Sequence, residues 1–299
     1  MTAILAPSRR DEDQLESTFK LRKRTSRRTA ADWVLLTGVV VIGILIASPF
    51  LLVLINSFKS PSDYAANGPL SLPKALYFKG IADFWNYVDF PLKLWNSFYT
   101  SAAAALLAVL ISVLNAFAIG IGRVRGRTWI IILFLLANTI PQEGLLYPLY
   151  YMFKQVDLYD TTWSIIIVFT VIQSAFGTYL LSSVFGTFPK EILEAAALDG
   201  ASRWQILWRV IVPIVRPTLS VMMIFFFIWT WNEFLIPVTM LISNDNQTVP
   251  VAISLLQGDK IMDVTTTSAS ALLGLLPTLV FFLIFQRTLA RGITAGAVK

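Results

Sequence analysis

The sequence contains neither cysteine nor histidine. Without cysteine there are no disulfides and no thiolate metal ligands. Without histidine the commonest metal ligand and the usual general base near neutral pH are both missing. Ser-His-Asp triads are excluded with it. Charge is scarce too, at 14% of residues against about 25% in an ordinary soluble domain. No G-x-x-x-x-G-K-[ST] loop occurs, so the chain has no cradle of that kind for nucleotide phosphates. What is abundant is apolar: 56% of the 299 residues are hydrophobic and the mean hydropathy is +0.67. The apolar residues fall in long runs, which makes a bilayer the expected solvent.

A membrane-crossing helix needs roughly 20 mostly apolar residues, and six such spans can be drawn. They cover about residues 33–57, 97–122, 129–153, 162–185, 212–237 and 270–289. The expected class is an all-α polytopic membrane protein. Pro141 and Pro277 are candidate kinks, or simply prolines accommodated by helix packing. Ser101 to Ala105 form a run of small residues that favours close helix packing.

The net charge of +6 would suggest a nucleic-acid partner in a soluble protein. Here the basic residues flank apolar spans, so no nucleic acid is expected and membrane orientation explains them better. They cluster in the N-terminal tail, at Arg123, Arg125 and Arg127, at Lys190, Arg203 and Arg209, and at Arg287, Arg291 and Lys299. Six spans put all four clusters on one side, so both termini are expected in the cytoplasm. The organisation follows: a basic tail at 1–31, a first span at 32–58, an extracytoplasmic loop at 59–93, a five-span core at 94–292 and a tail at 293–299. The first apolar run starts near Trp33 and is too long for a signal peptide's h-region.

Between the fourth and fifth spans lies PKEILEAAALDGASRWQILWRVIVPIVRP, residues 189–217. Pro189 suits the start of a helix, and Glu191 and Glu194 lie near its positive end. Gly200 can adopt the left-handed conformation that ends a helix. Ser202 to Gln205 match the S-x-x-Q capping box of a second helix. The pattern predicts helix, glycine turn, helix. Small alanines would let a partner's backbone approach, and Glu194 and Asp199 could accept charge-assisted hydrogen bonds from it. An amphipathic connector lying on the membrane surface fits the same residues equally well.

Glu194-Ala195-Ala196, Asp199-Gly200-Ala201 and Pro213 resemble the EAA loop of permease subunits of binding-protein-dependent ABC importers. Asn96-Ser97-Phe98, Pro141-Gln142, Pro148-Leu149-Tyr150 and Asp160-Thr161 are similar to other motifs of that family. Trp231 to Phe234 and the C-terminal Arg291 to Lys299 resemble its carbohydrate-uptake, maltose-type branch. The resemblance covers about residues 94–299. It implies a MetI-like permease core in a bacterial inner membrane, with residues 189–209 as the coupling loop. Glu191, Glu194, Ala195, Ala196, Asp199, Gly200, Ala201 and Arg203 would then meet a cytoplasmic ATPase. The implied partners are two ATP-binding subunits, a second permease subunit and an extracytoplasmic solute-binding protein, with membrane lipid around them. ATP and Mg would bind the ATPase subunits, leaving this chain non-catalytic and without a cofactor of its own.

Polar residues inside spans are costly and usually face a cavity or a neighbouring helix. The candidates for a solute path are Gln142, Glu143, Gln173, Asn232 and Glu233. Tyr147, Tyr150, Trp229 and Trp231 are possible stacking partners for a sugar. The same residues read equally as interfacial water contacts and an aromatic belt. A secondary transporter would be expected to show internal repeats or an ion relay, and neither is found. A membrane scaffold or enzyme is disfavoured by the missing catalytic clusters.

Overall fold

The computed structural model describes residues 30–122, 124–259 and 263–297. Most of the basic tail (residues 1–29), Arg123, Lys260 and the last two residues lie outside the described residues. The described residues form helices and turns, with no strand among them. The chain divides between Leu51 and Leu52. The first unit is built on helix α1 (Ala30–Ser57), whose side chains Val34, Val39, Leu45 and Ile46 are exposed. Apolar character on every side suits a helix surrounded by hydrocarbon.

Among the described residues the second unit holds the end of α1, eleven further helices and a single 3-10 turn at Asn244–Asn246. Two short ones, α2 (Pro61–Asn67) and α3 (Lys79–Tyr87), precede the long α4 (Phe90–Ile121), whose last turn, Phe117–Ile121, is π-wound. Next come α5 (Arg127–Ala137), α6 (Gln142–Gln155), α7 (Thr162–Gly186) and the short α8 (Lys190–Leu198). Helix α9 (Arg203–Asn232) carries a π segment at Ile206–Ile211. It is followed by α10 (Leu235–Met240), α11 (Val249–Asp259) and α12 (Val264–Ala297). Among the described residues five helices, α1, α4, α7, α9 and α12, are long and apolar enough to cross a membrane. The pair α5 and α6 makes a sixth if it is taken as one broken span.

Several expected boundaries move. The third span is not a continuous helix: α5 and α6 meet at 93°. Pro141, at the break, has extended backbone geometry with φ −65° and ψ 135°. Its ring removes a backbone donor and disfavours helix in the residue before it. Pro148 and Pro277, in contrast, lie inside continuous helices. The second span starts at Phe90 rather than near Ser97, because Lys93 and Asn96 are buried beneath the outer loop instead of lying in water. The fifth starts at Arg203 rather than Val212, since Ile206, Leu207 and Ile211 are buried and bring the last turns of the expected loop into the span. It stops at Asn232, with α10 a separate helix beyond a break.

Helices α4 and α7 pack along their length through small residues. Ala104, Ala105, Ala108, Ser112 and Ala116 of α4 are all fully buried. A Cβ added at Gly177 of α7 would overlap the Ser112 hydroxyl and come within 3.1 Å of the Phe226 ring. Ser112 Oγ donates to the Ala108 carbonyl at 2.6 Å, and Asn115 Nδ2 donates to Thr178 Oγ1 at 3.3 Å. One core cluster, containing Val113, Leu181, Phe185, Leu207 and Phe226, lies where α4, α7 and α9 meet the short α8. A second joins Phe153, Phe169, Ile236 and Met240, and a third joins Phe84, Phe90, Val249 and Leu273.

Candidate functional site

The coupling segment folds as its residues dictate. Pro189 stands as the N-cap of α8 with ψ 124°, and the helix runs from Lys190 to Leu198. Gly200 has φ +79°. Its N–H donates to the Ala197 carbonyl at 3.1 Å, and the Ala201 N–H donates to the Ala196 carbonyl at 3.1 Å. These are the paired bonds of a Schellman C-cap, with the left-handed residue at the position glycine favours. Ser202 then opens α9 through a complete capping box. The Gln205 N–H donates to Ser202 Oγ at 3.3 Å, and the Ser202 N–H donates to Gln205 Oε1 at 2.7 Å. Residues 199–202 therefore join two helices with the backbone groups at the joint paired off, which makes the corner stiff.

The faces of α8 are unequal. Leu193 and Ala196 pack on the core cluster, as does Ala201 past the turn. Glu191, Glu194, Ala195, Asp199, Gly200 and Arg203 are exposed. Leu198 is 89% exposed and Trp204 61%. Burying one small face while presenting a large leucine to solvent is the pattern of a helix with a second surface to cover. Leu198 and Trp204 were not singled out in the sequence, where each reads as one more apolar residue of an amphipathic element.

A second constellation forms at the opposite ends of α4 and α7. Asp160, at φ +56°, accepts from the Ile242 and Ser243 amides at 2.8 and 2.9 Å and from the Ser243 hydroxyl. Its own carbonyl accepts from Asn246 Nδ2 at 2.6 Å. Burial pushes the Asp160 carboxyl up, but the Ser243 hydroxyl and these amides outweigh it and hold the carboxyl below its ordinary value. From α4, Lys93 Nζ donates to the Asn244 carbonyl. Asn96 Nδ2 donates to the Asp245 and Gln247 carbonyls at 2.7 and 3.0 Å, and Ser97 Oγ accepts from the Val249 N–H at 2.8 Å. Lys93, Asn96 and Ser97, about 150 positions upstream, and Asp160, 82 to 86 positions upstream, thus grip one segment, residues 241–249. Lys93, counted from sequence as a loop charge, is fully buried here. The readable signal was its place three and four residues before Asn96 and Ser97, on one helix face.

The solute-path candidates do not gather into one pocket. Tyr147 is 73% exposed on α6, Glu143 is also exposed and Gln142 half-buried. Gln173 is fully buried and donates from Nε2 to the Phe226 carbonyl at 3.1 Å and to Thr230 Oγ1 at 2.7 Å, locking α7 to α9. Trp231 is buried against Phe227 and Phe281, with ring centres 5.7 and 5.2 Å away. Asn232 is exposed and bonds back to the Ile228 carbonyl at 2.7 Å, while Glu233 Oε1 accepts the Leu235 N–H at 3.2 Å. Tyr150 packs edge-on to Tyr159, and Trp229 packs on Phe176 and Phe225. Among the described residues no three His, Cys, Asp or Glu side chains converge as a metal site would require.

Comparison with known proteins agrees with this architecture. Residues 115–295, more than half of the chain, match the family described as binding-protein-dependent transport system inner membrane component. The lactose transport system permease protein LacG of Rhizobium radiobacter is 30% identical over 275 residues, covering 92% of this chain and 99% of that protein. The trehalose transport system permease protein SugB of Mycobacterium tuberculosis is 30% identical over 274 residues, covering 91% and 98%. Among solved structures, a bacterial ABC transporter involved in the import of the polysaccharide alginate superposes with a TM-score of 0.68 at 18% identity, over 96% of this chain and 99% of that one. The chain belongs to the binding-protein-dependent transport system inner membrane components: it is a MetI-like, non-catalytic permease subunit of an ABC importer.

Proposed function

We propose that this subunit forms half of the route by which a sugar or sugar-like solute crosses a bacterial inner membrane, driven by ATP hydrolysis in partner subunits. The stiff joint at residues 199–202 carries the reading. It fixes α8, which leaves Leu198 uncovered, directly to α9. A rigid-body push on α8 would reach the span without being absorbed by a flexible linker. Glu191, Glu194, Ala195, Asp199, Gly200 and Arg203 would form the docking surface for a cytoplasmic ATP-binding subunit, with Ala196 and Ala201 seating it on the core. Two such subunits, a second permease and an extracytoplasmic binding protein complete the assembly. ATP and Mg are held by the ATPases, and both termini of this chain lie in the cytoplasm. The sugar class is supported by the names of relatives, which include lactose, trehalose and arabinooligosaccharide permeases.

The solute would pass along the exposed and half-exposed polar groups Gln142, Glu143, Tyr147, Asn232 and Glu233. Gln173, bonded to α9, and Trp231, packed on Phe281 of α12, are buried and would reach solute only when those helices move apart. The decisive experiment replaces Leu198 by Glu in the assembled importer. Loss of the ATPase subunits on purification, with the permease still inserted, is the expected result. Full retention of the ATPases and normal uptake would refute the docking role.

A further inference from the structure

A cleft of about 620 Å³ opens between the ends of α4 and α7, the start of α5 and the coupling helix α8. That volume is within the range of small-molecule sites. Its lining is of two kinds. Ile121, Phe185, Phe188 and Leu193 give it apolar walls, while Arg127 and Lys190 place two cations at its rim. Neither cation has a hydrogen-bond or ion-pair partner among the described residues. Each is the first residue of its helix, so the positive ends of α5 and α8 add to the field there.

The cleft's depth in the membrane follows from the spans. Helices α4 and α7 both end at it, and α5 re-enters the apolar region from it. Trp129, two residues beyond Arg127, is 76% exposed, as an aromatic anchor at the headgroup level would be. The cleft also lies on the bundle side of α8. At 100° per residue, Leu193 points roughly 140° away from Leu198 and roughly 200° away from Ala195. Ala195 and Leu198, offered to the ATPase, therefore lie on a different face of the helix from the Leu193 that lines the cleft.

We propose that this cleft holds the phosphate headgroup of an anionic phospholipid, with Arg127 and Lys190 on the phosphate and the acyl chains against Phe185, Phe188 and Ile121. The lipid wedges between the start of α5 and the coupling helix and so holds α8 in place. The proposal rests on the reading of α8 as the coupling helix. It makes coupling efficiency depend on the lipid composition of the leaflet at that end of the molecule.

The test uses the complete importer in nanodiscs of phosphatidylcholine alone or mixed equally with phosphatidylglycerol. The R127Q/K190Q double variant is compared with wild type and with R127K. Wild type and R127K are expected to retain phosphatidylglycerol through detergent washing, as counted by native mass spectrometry. Their solute-stimulated ATP hydrolysis is expected to rise several-fold with that lipid. The double variant should retain fewer lipids and show no rise. Equal retention and an equal rise in the double variant would overturn the proposal. So would stimulation of wild type by inorganic phosphate in phosphatidylcholine alone, which identifies free phosphate as the ligand. Loss of the ATPase subunits from the double variant would overturn it as well, because the cations would then be protein contacts. If wild type itself binds no ATPase, the coupling reading fails first, before any lipid is varied.

Discussion

At position 200 a side chain would meet no neighbour, since an added Cβ has open space around it. The constraint there is purely conformational: φ is +79°, a region that costs an L-residue roughly 1–2 kcal/mol and a β-branched one more. Gly200→Val is therefore expected to reorient α8 and abolish coupled uptake while leaving membrane insertion intact. Gly200→Asn, which tolerates the left-handed region, should keep most of the uptake. Uptake assays on both variants, alongside their membrane levels, separate this from a packing effect. Equal uptake by Val and Gly would refute the joint.

Asp160 gives a pH prediction. Its carboxyl titrates below the ordinary 3.8, so its contribution is fully present above that ordinary value. It is lost only as the pH falls through the lower folded-state value. Asp160→Asn should destabilise the outer loop by about 1 kcal/mol, less than a fully buried charged hydrogen bond because the site is partly open to solvent. The gap in unfolding temperature between wild type and this variant should stay constant from neutral pH down to about 4 and close only below it.

The Gly200 turn and the Ser202 cap could be read from sequence because every bond that defines them spans at most five residues. For Lys93 only its place on one helix face with Asn96 and Ser97 was readable; its partner carbonyl, that of Asn244, lies 151 positions away.

At the scale of elements, α4 and α7 depend on the close crossing at Gly177. Gly177→Val must displace Ser112 or the Phe226 ring, and overpacking of this kind costs about 1–3 kcal/mol. The variant should insert but melt at lower temperature in detergent. Gly177→Ala paired with Ser112→Ala should recover part of the loss if the crossing is the cause. The two π segments, Phe117–Ile121 and Ile206–Ile211, both lie at the coupling end, one in each of the long helices beside α8. Neither was legible in the sequence. A π turn arises from how a helix is accommodated by its neighbours, with no local residue signature here. The apolar runs did reveal which segments are helical. They did not reveal the 93° turn at Pro141, because hydropathy is blind to direction. Pro141 was read as either a kink or a proline accommodated by packing, and the larger break follows from the turn at residues 138–141, where Asn138 Nδ2 bonds back to the Phe134 carbonyl at 2.7 Å.

For the whole molecule, the apolar spans and the helix–turn–helix between the fourth and fifth were legible, because lipid imposes apolar runs of fixed length and charge interrupts them. The solute path was not, since the residues nominated for it lie on several helices and a second permease is expected to complete it. Purified alone, this subunit should show no ATP hydrolysis above background. Addition of the ATP-binding subunits and the binding protein should restore solute-stimulated turnover. Hydrolysis by the lone subunit, measured as phosphate release, would contradict its place in the family.

The grip on residues 241–249 also bears on how the chain is made. A ribosome delivers α4 early, carrying Lys93, Asn96 and Ser97, and α7 with Asp160 next. Their partners, between Ile242 and Val249, emerge only after α9 and α10. For most of synthesis the Asp160 carboxylate thus lacks its amide partners, and Lys93 has only the nearby Asp89 carboxylate to offset its charge. Closure of residues 241–249 therefore ties segments made early to one made late, so the ends of α4 and α7 are fixed together only once α9 and α10 are in place.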